Sequence, residues 1–241
     1  MTKKLQNNEQ GIAQILIIII AVVVLGAVGF VGYKVATKNK SKTTSSSTAT
    51  TNAVSSSCLS TYHDANICHF ASFSTSFDKT AYTATITTTQ QGTTSTLTMK
   101  NDGKGNTAMT GTSDGQQFNS ILLDGNTYIG SGGTWMEYKS GSTAPTQSNP
   151  TSNMNIGVGT KGITFKNLGT DACGSQSCFK YQVTDAAMAG TTQYVWFDNS
   201  SYKLREWKYS DGSGNSTDMT ISYGAVTITA PSPVQVIPTG Q

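Results

Sequence analysis

The chain has 241 residues, a formal net charge of +3 and 12% charged residues, about half the usual ~25%. Lys3, Lys4, Lys34, Lys38, Lys40 and Lys42 against Glu9 carry +5 of that charge, so the rest of the chain stands at −2 with its remaining Lys and Arg scattered. This speaks against a nucleic-acid footprint and for the Thr- and Ser-rich composition of an exported β-rich surface.

Residues 1–11 are a short polar head, expected to be cytoplasmic. Residues 12–33 (IAQILIIIIAVVVLGAVGFVGY) hold no charged side chain. At 1.5 Å per residue, roughly 20 apolar residues span the roughly 30 Å of a bilayer's hydrocarbon, so the segment is expected to be a single transmembrane helix. It is longer than the h-region of a cleaved signal peptide. Gly11 before an apolar run also resembles the processing region of type IV prepilins, but Leu16 stands where that family carries glutamate. Minor pilin-like assembly is therefore the lesser alternative.

Residues 34–57 are lysine-rich and then almost pure Ser, Thr and Ala, the composition of a flexible linker that cannot bury enough apolar surface to fold. Cys58, Cys68, Cys173 and Cys178 all lie beyond it. Their short separations favour the pairs Cys58 with Cys68 and Cys173 with Cys178, and local pairing without a spare thiol suits an oxidising compartment. The four lysines after the apolar run pull the other way under the positive-inside bias, yet long polar domains translocate regardless of nearby charge. The expectation is a single-pass cell-membrane protein with an extracytoplasmic domain over 58–233 and a tail over 234–241.

Leu59, Tyr62, Ile67, Phe70, Phe73 and Phe77 have partly helical spacing, which predicts a short disulfide-pinned helix that packs on the strands after it. From Tyr82 the period changes to two. YTATITTT, STLTMK, NTAMTGT, QQFNSILL, TYIG and TWMEYK are separated by Gly-containing turns, the pattern of an antiparallel meander. Residues 140–162 break the rhythm and are too long for a hairpin loop, which makes them a candidate lid. Strands resume with ITFKNL, SCFKYQVT, TQYVWFD, YKLREWKYS, STDMTISY and AVTITAPSP, and Pro231, Pro233 and Pro238 are expected to end the sheet. The fold class is mainly β, with about eleven antiparallel strands in a strongly curved sheet or incomplete barrel under a short helical cover.

The closing stretch TQYVWFDNSSYKLREWKYSDGSGNSTDMTISYGAVTITAP, with Trp196, Asp198, Leu204, Tyr223, Ile228 and Pro231 at matching positions, resembles the LolA/LppX-like family of bacterial envelope proteins. The preceding DGNTYI and TWMEY are similar too, so the resemblance covers about 80–233. It implies a curved sheet whose concave face holds lipid acyl chains or another hydrophobic ligand. The family's longer N-terminal helix is short here, and a membrane helix replaces its lipidated cysteine.

Catalytic chemistry finds no support. Cys58, His63, Cys68 and His69 lack the paired spacing of a zinc site, no serine stands in G-x-S-x-G, and no phosphate-binding glycine loop opens a helix. No enzyme, cofactor, metal or nucleic-acid partner is therefore expected. The candidate ligand-binding side chains are Tyr82, Phe118, Ile121, Leu123, Tyr128, Trp135, Phe165, Phe197, Leu204, Trp207, Ile221 and Tyr223. Such residues serve equally in a filled core or around a cavity. The expected partners are the membrane, through the chain's own anchor, and a lipid or other hydrophobic molecule. A structural or interaction module of the cell surface is the alternative.

Overall fold

The computed structural model describes residues 55–113, 116–131, 133–139, 162–186 and 190–237, together with Val158 and Met188. The expected membrane segment at 12–33, nearly all of the linker, and the candidate lid apart from Val158 and Gly162 lie outside the described residues. Among the described residues, no helix is long and apolar enough to cross a membrane.

Asp64 divides the first apolar stretch into two helices, α1 (Ser56–Tyr62) and α2 (Ala65–Ser74). His63 closes α1 in the left-handed region at φ 53°. The Asp64 carboxylate then caps α2, accepting from the Asn66 N–H at 2.8 Å and the Ile67 N–H at 3.3 Å, which satisfies two of its orphan donors. The Cys58–Cys68 disulfide joins the two helices with Cα atoms 5.7 Å apart. A 3₁₀ turn at Phe77–Lys79 leads into the sheet.

Twelve strands follow: β1 (Tyr82–Gln90), β2 (Thr93–Asn101), β3 (Thr107–Ser113), β4 (Gln116–Leu123), β5 (Asn126–Ser131), β6 (Thr134–Tyr138), β7 (Ile163–Cys173), β8 (Gln176–Asp185), β9 (Thr192–Asp198), β10 (Leu204–Ser210), β11 (Ser216–Tyr223) and β12 (Val234–Ile237). They form one open, curved sheet in the order β12-β6-β5-β4-β3-β2-β1-β11-β10-β9-β8-β7. A sheet this wide curls because each strand is rotated against its neighbour in one sense.

Two meanders, β1–β6 and β7–β11, thus meet where β1 pairs with β11, from Tyr82 opposite Tyr223 to Thr89 opposite Ser216. Type I′-like turns at Gln91-Gly92 (φ 50° and 82°) and Asp124-Gly125 (φ 51° and 82°) match the strands' twist. Each is braced by a neighbouring loop of sequence DGxGN. In one loop Asp102 accepts from the Asn106 side chain at 2.8 Å, and Asn106 accepts from the Asp124 N–H at 2.9 Å. In the other, Asp211 accepts from the Asn215 side chain at 2.6 Å, and Asn215 accepts from the Gln91 N–H at 3.2 Å.

The C-terminus differs from the all-antiparallel expectation of about eleven strands. Residues 225–230 form no strand, and Val234–Ile237, assigned from sequence to the tail, form β12 parallel to β6. The intervening residues 224–233 carry the chain from the centre of the sheet to its edge, across seven strand spacings of about 4.8 Å. Eleven Cα steps reach at most about 40 Å, which is enough for this crossing.

Candidate functional site

Alternation along the strands, combined with the register, sorts the side chains onto two faces. One face bears the helical cover. There Phe70 stacks on Phe197 at 4.9 Å, Phe77 on Tyr82 at 4.5 Å and His69 on Tyr202 at 4.5 Å, while Phe73 meets Tyr223 edge-on at 6.0 Å and Tyr62 meets Phe165 at 5.6 Å. Phe197 also stacks on Tyr181 at 5.2 Å. With Ile67, Phe70, Tyr82, Tyr181, Val195, Phe197, Leu204 and Met219 all buried, this half of the face is a filled aromatic core.

A polar clamp fixes the cover. The buried Tyr181 hydroxyl donates to Asp64 Oδ2 at 2.7 Å and accepts from Asn167 Nδ2 at 2.9 Å. Burial, reinforced by the Asp64 carboxylate, pushes the Tyr181 phenol well above its ordinary pKa, so it stays a neutral donor. Beside it, the turn between β9 and β10 is built on Asp198. Burial alone would raise this carboxyl, but the Ser200 hydroxyl and the backbone and side chain of Ser201 hydrogen-bond to it and hold it far below the usual carboxylate range. Arg205 adds a 3.5 Å ion pair. Between this turn and α2 lies a depression of about 210 Å³ lined by His69, Ser72, Phe73, Ser76, Ser201 and Tyr202.

The twelve sequence-predicted residues divide between the faces. Tyr82, Phe118, Phe165, Phe197, Leu204, Trp207, Ile221 and Tyr223 share the helix-bearing face, linked by register pairs such as Tyr82 with Tyr223 and Leu204 with Phe197. Ile121, Leu123, Tyr128 and Trp135 stand on the opposite face, because Ile121 pairs with Tyr128 and both are out of phase with Phe118. Trp135 lies flat over Gly130, where a Cβ would come within 2.8 Å of the ring.

Beyond the ring contacts of the cover, the helix-bearing face continues over β2–β6. Here Leu97, Phe118, Leu122, Ile129, Met136 and Tyr138 are half-buried, while Met99 and Met109 are buried. Phe118 rests on Gly111, where a Cβ would overlap its ring. The residues this face adds, Leu97, Met99, Met109, Leu122, Ile129, Met136 and Tyr138, escaped the sequence-based choice. The signal was present: stepping by two from Phe118 reaches Leu122, not Ile121 or Leu123. Among described buried side chains, two polar atoms have no hydrogen-bond partner, Ser120 Oγ on this face and Arg205 Nε.

On the opposite face the Cys173–Cys178 disulfide staples the β7–β8 hairpin with Cα atoms 5.8 Å apart, and Trp196 packs against it. Lys180 Nζ sits 4.9 Å and Lys208 Nζ 5.4 Å from the Trp196 ring, whose indole N–H donates to Asp171. With Trp196 buried, this is a structural brace and not an aromatic binding platform.

Several solved structures align with part of this chain. The Mycobacterium tuberculosis lipoprotein LppX is 16% identical over 68% of this chain and 98% of its own, with a TM-score of 0.46. LprF from Mycobacterium bovis is 13% identical over 68% of this chain and 95% of its own, with a TM-score of 0.47. The Pseudomonas aeruginosa MucA/MucB complex also aligns, at 13% identity and a TM-score of 0.42, over 68% of this chain and 57% of that one. No family model matches the sequence, and no curated protein matches it.

Proposed function

We propose that this protein is a membrane-anchored, extracytoplasmic binding protein for a lipid or other hydrophobic ligand, and that it works without catalysis. The observation that carries this function is the apolar face over β2–β6. Its half-buried Leu97, Phe118, Leu122, Ile129, Met136 and Tyr138 continue the core face beyond the aromatic lock of the helices. Covering such a surface with hydrocarbon is worth about 25 cal/mol per Å² removed from water. The apolar segment at 12–33 and the linker after it would hold the domain near its own bilayer, raising its effective concentration there. The two disulfides support an oxidising compartment.

Native mass spectrometry of the full chain, purified in mild detergent from a bacterial envelope, tests this function. A discrete adduct of lipid mass is expected, and Phe118→Asp or Met136→Asp should abolish it by placing an unpaired charge on the face. A bare mass, together with no uptake of an added fluorescent acylglycerol, refutes the proposal.

A further inference from the structure

The proposed ligand face contains one row that crosses five strands, in which each residue is the register partner of the next: Met99, Met109, Ser120, Ile129 and Met136. Four strand spacings make the row about 19 Å long, more than the ~15 Å of one bilayer leaflet's hydrocarbon. That length suits an acyl chain, but only Ile129 and Met136 are half-buried. Met99, Met109 and Ser120 are already covered by the protein, so a chain reaching Ser120 has to displace the side chains over it. Three of the five are methionines, whose unbranched thioethers adapt to irregular apolar partners.

Ser120 breaks the pattern. It is 3% exposed, it is the smallest and the only polar side chain of the row, and its hydroxyl oxygen has no hydrogen-bond partner. A buried hydroxyl left unpaired opposes folding, and nothing in the row of Met and Ile neighbours repays it.

We infer that Ser120 Oγ is the polar anchor of the ligand face, donating a hydrogen bond to a carbonyl oxygen within a bound acyl chain. The inference rests on the hydrophobic-ligand function above and narrows its ligand class to neutral acyl esters or amides. Charge decides against a free carboxylate. The residues of β2–β6 on this face, from Leu97, Met99 and Asn101 through Thr127 and Ile129 to Met136 and Tyr138, include no Lys, Arg or His to balance one. A neutral carbonyl needs one donor, and Ser120 supplies one.

The test uses the full chain in non-ionic detergent, incubated with equimolar 1-palmitoylglycerol and 1-O-hexadecylglycerol, an ester and ether pair that differs in the carbonyl. Native mass spectrometry reads the ratio of the two adducts. Because both probes partition between the same micelles, comparison of the wild type with Ser120→Ala cancels detergent effects. The wild type should favour the ester by about 2- to 10-fold, the range of one net hydrogen bond. Ser120→Ala should bring the ratio towards that of the bare micelle while still taking up the ether. Without probe, Ser120→Ala should melt no lower than the wild type, since it deletes an unpaired buried hydroxyl. Equal uptake of ester and ether by the wild type, or an unchanged ratio in Ser120→Ala, overturns the assignment of Ser120 alone. Uptake of neither probe overturns the hydrophobic-ligand function and the anchor with it.

Discussion

Asp64 holds two jobs that mutation can separate. One carboxylate oxygen caps α2, and the other receives the Tyr181 hydroxyl at 2.7 Å, tying the helical cover to β8. Tyr181→Phe removes only the tie. A hydrogen bond to a charged acceptor contributes about 1.5–3 kcal/mol, and Asn167, which is exposed, keeps its 3.5 Å contact with Asp64 and can also turn to water. Asp64→Ala removes the tie and the cap, and a lost cap typically costs about 1 kcal/mol, so its total should be about 2.5–4 kcal/mol. Asp64→Asn keeps a good cap and should fall between the wild type and the alanine variant. Once either partner is gone the second change has no tie left to break. The double variant Asp64→Ala/Tyr181→Phe should therefore be more stable than the sum of the single losses, by the worth of the tie itself, about 1.5–3 kcal/mol. Urea unfolding followed by tryptophan fluorescence, with a common slope, measures each of these proteins. Strictly additive losses, or a Tyr181→Phe cost under about 0.5 kcal/mol, would refute the claim that this contact holds the cover down.

Two further outcomes concern single sites. The Asp198 carboxyl has a depressed pKa in the fold, so its contribution is complete above the unfolded value of about 3.9 and is lost as pH falls towards the folded value. The melting temperature of the wild type should therefore drop below about pH 4 more steeply than that of Asp198→Asn, and parallel acid profiles would contradict this. Gly111→Ala forces the Phe118 ring off β3 and should destabilise the domain by about 1–3 kcal/mol in urea, whereas an unchanged midpoint would mean that the ring moves freely.

The hairpins were legible because their turns carry backbone chemistry that few residues tolerate, as in Asp124-Gly125, where both φ angles are positive. The two disulfides were legible from spacing alone, and the helical break was not. His63 and Asp64 end one helix and start the next, yet the apolar spacing runs through both. β12 was hidden for a different reason: its four residues come after Pro233, and their partner on β6 lies about a hundred residues earlier in the chain, beyond any local pattern. The division of the candidate residues between two faces lay in the phase of β4. In FNSILL, Phe118, Ser120 and Leu122 share one face with Met109 and Ile129, while Ile121 and Leu123 share the other with Tyr128, so hydrophobicity by itself selected both. Ser120 looked like an ordinary strand serine, since only three-dimensional burial reveals that its hydroxyl lacks a partner.

The order of strands also sets a timetable for folding. Within each meander every strand pairs with its neighbour in sequence, so contacts are local and such units form early and fast. The β1–β11 seam is different, because it joins Tyr82 to Tyr223 and Thr89 to Ser216 across most of the domain. Its loop-closure entropy has to be met before any seam contact forms. The helical turns sit where they can lower that barrier, since Phe77 lies on Tyr82 of one meander while Phe73 and Phe70 reach Tyr223 and Phe197 of the other. The short N-terminal cover thus bridges the two ribbons at the seam, where the contacts most distant in sequence have to be made.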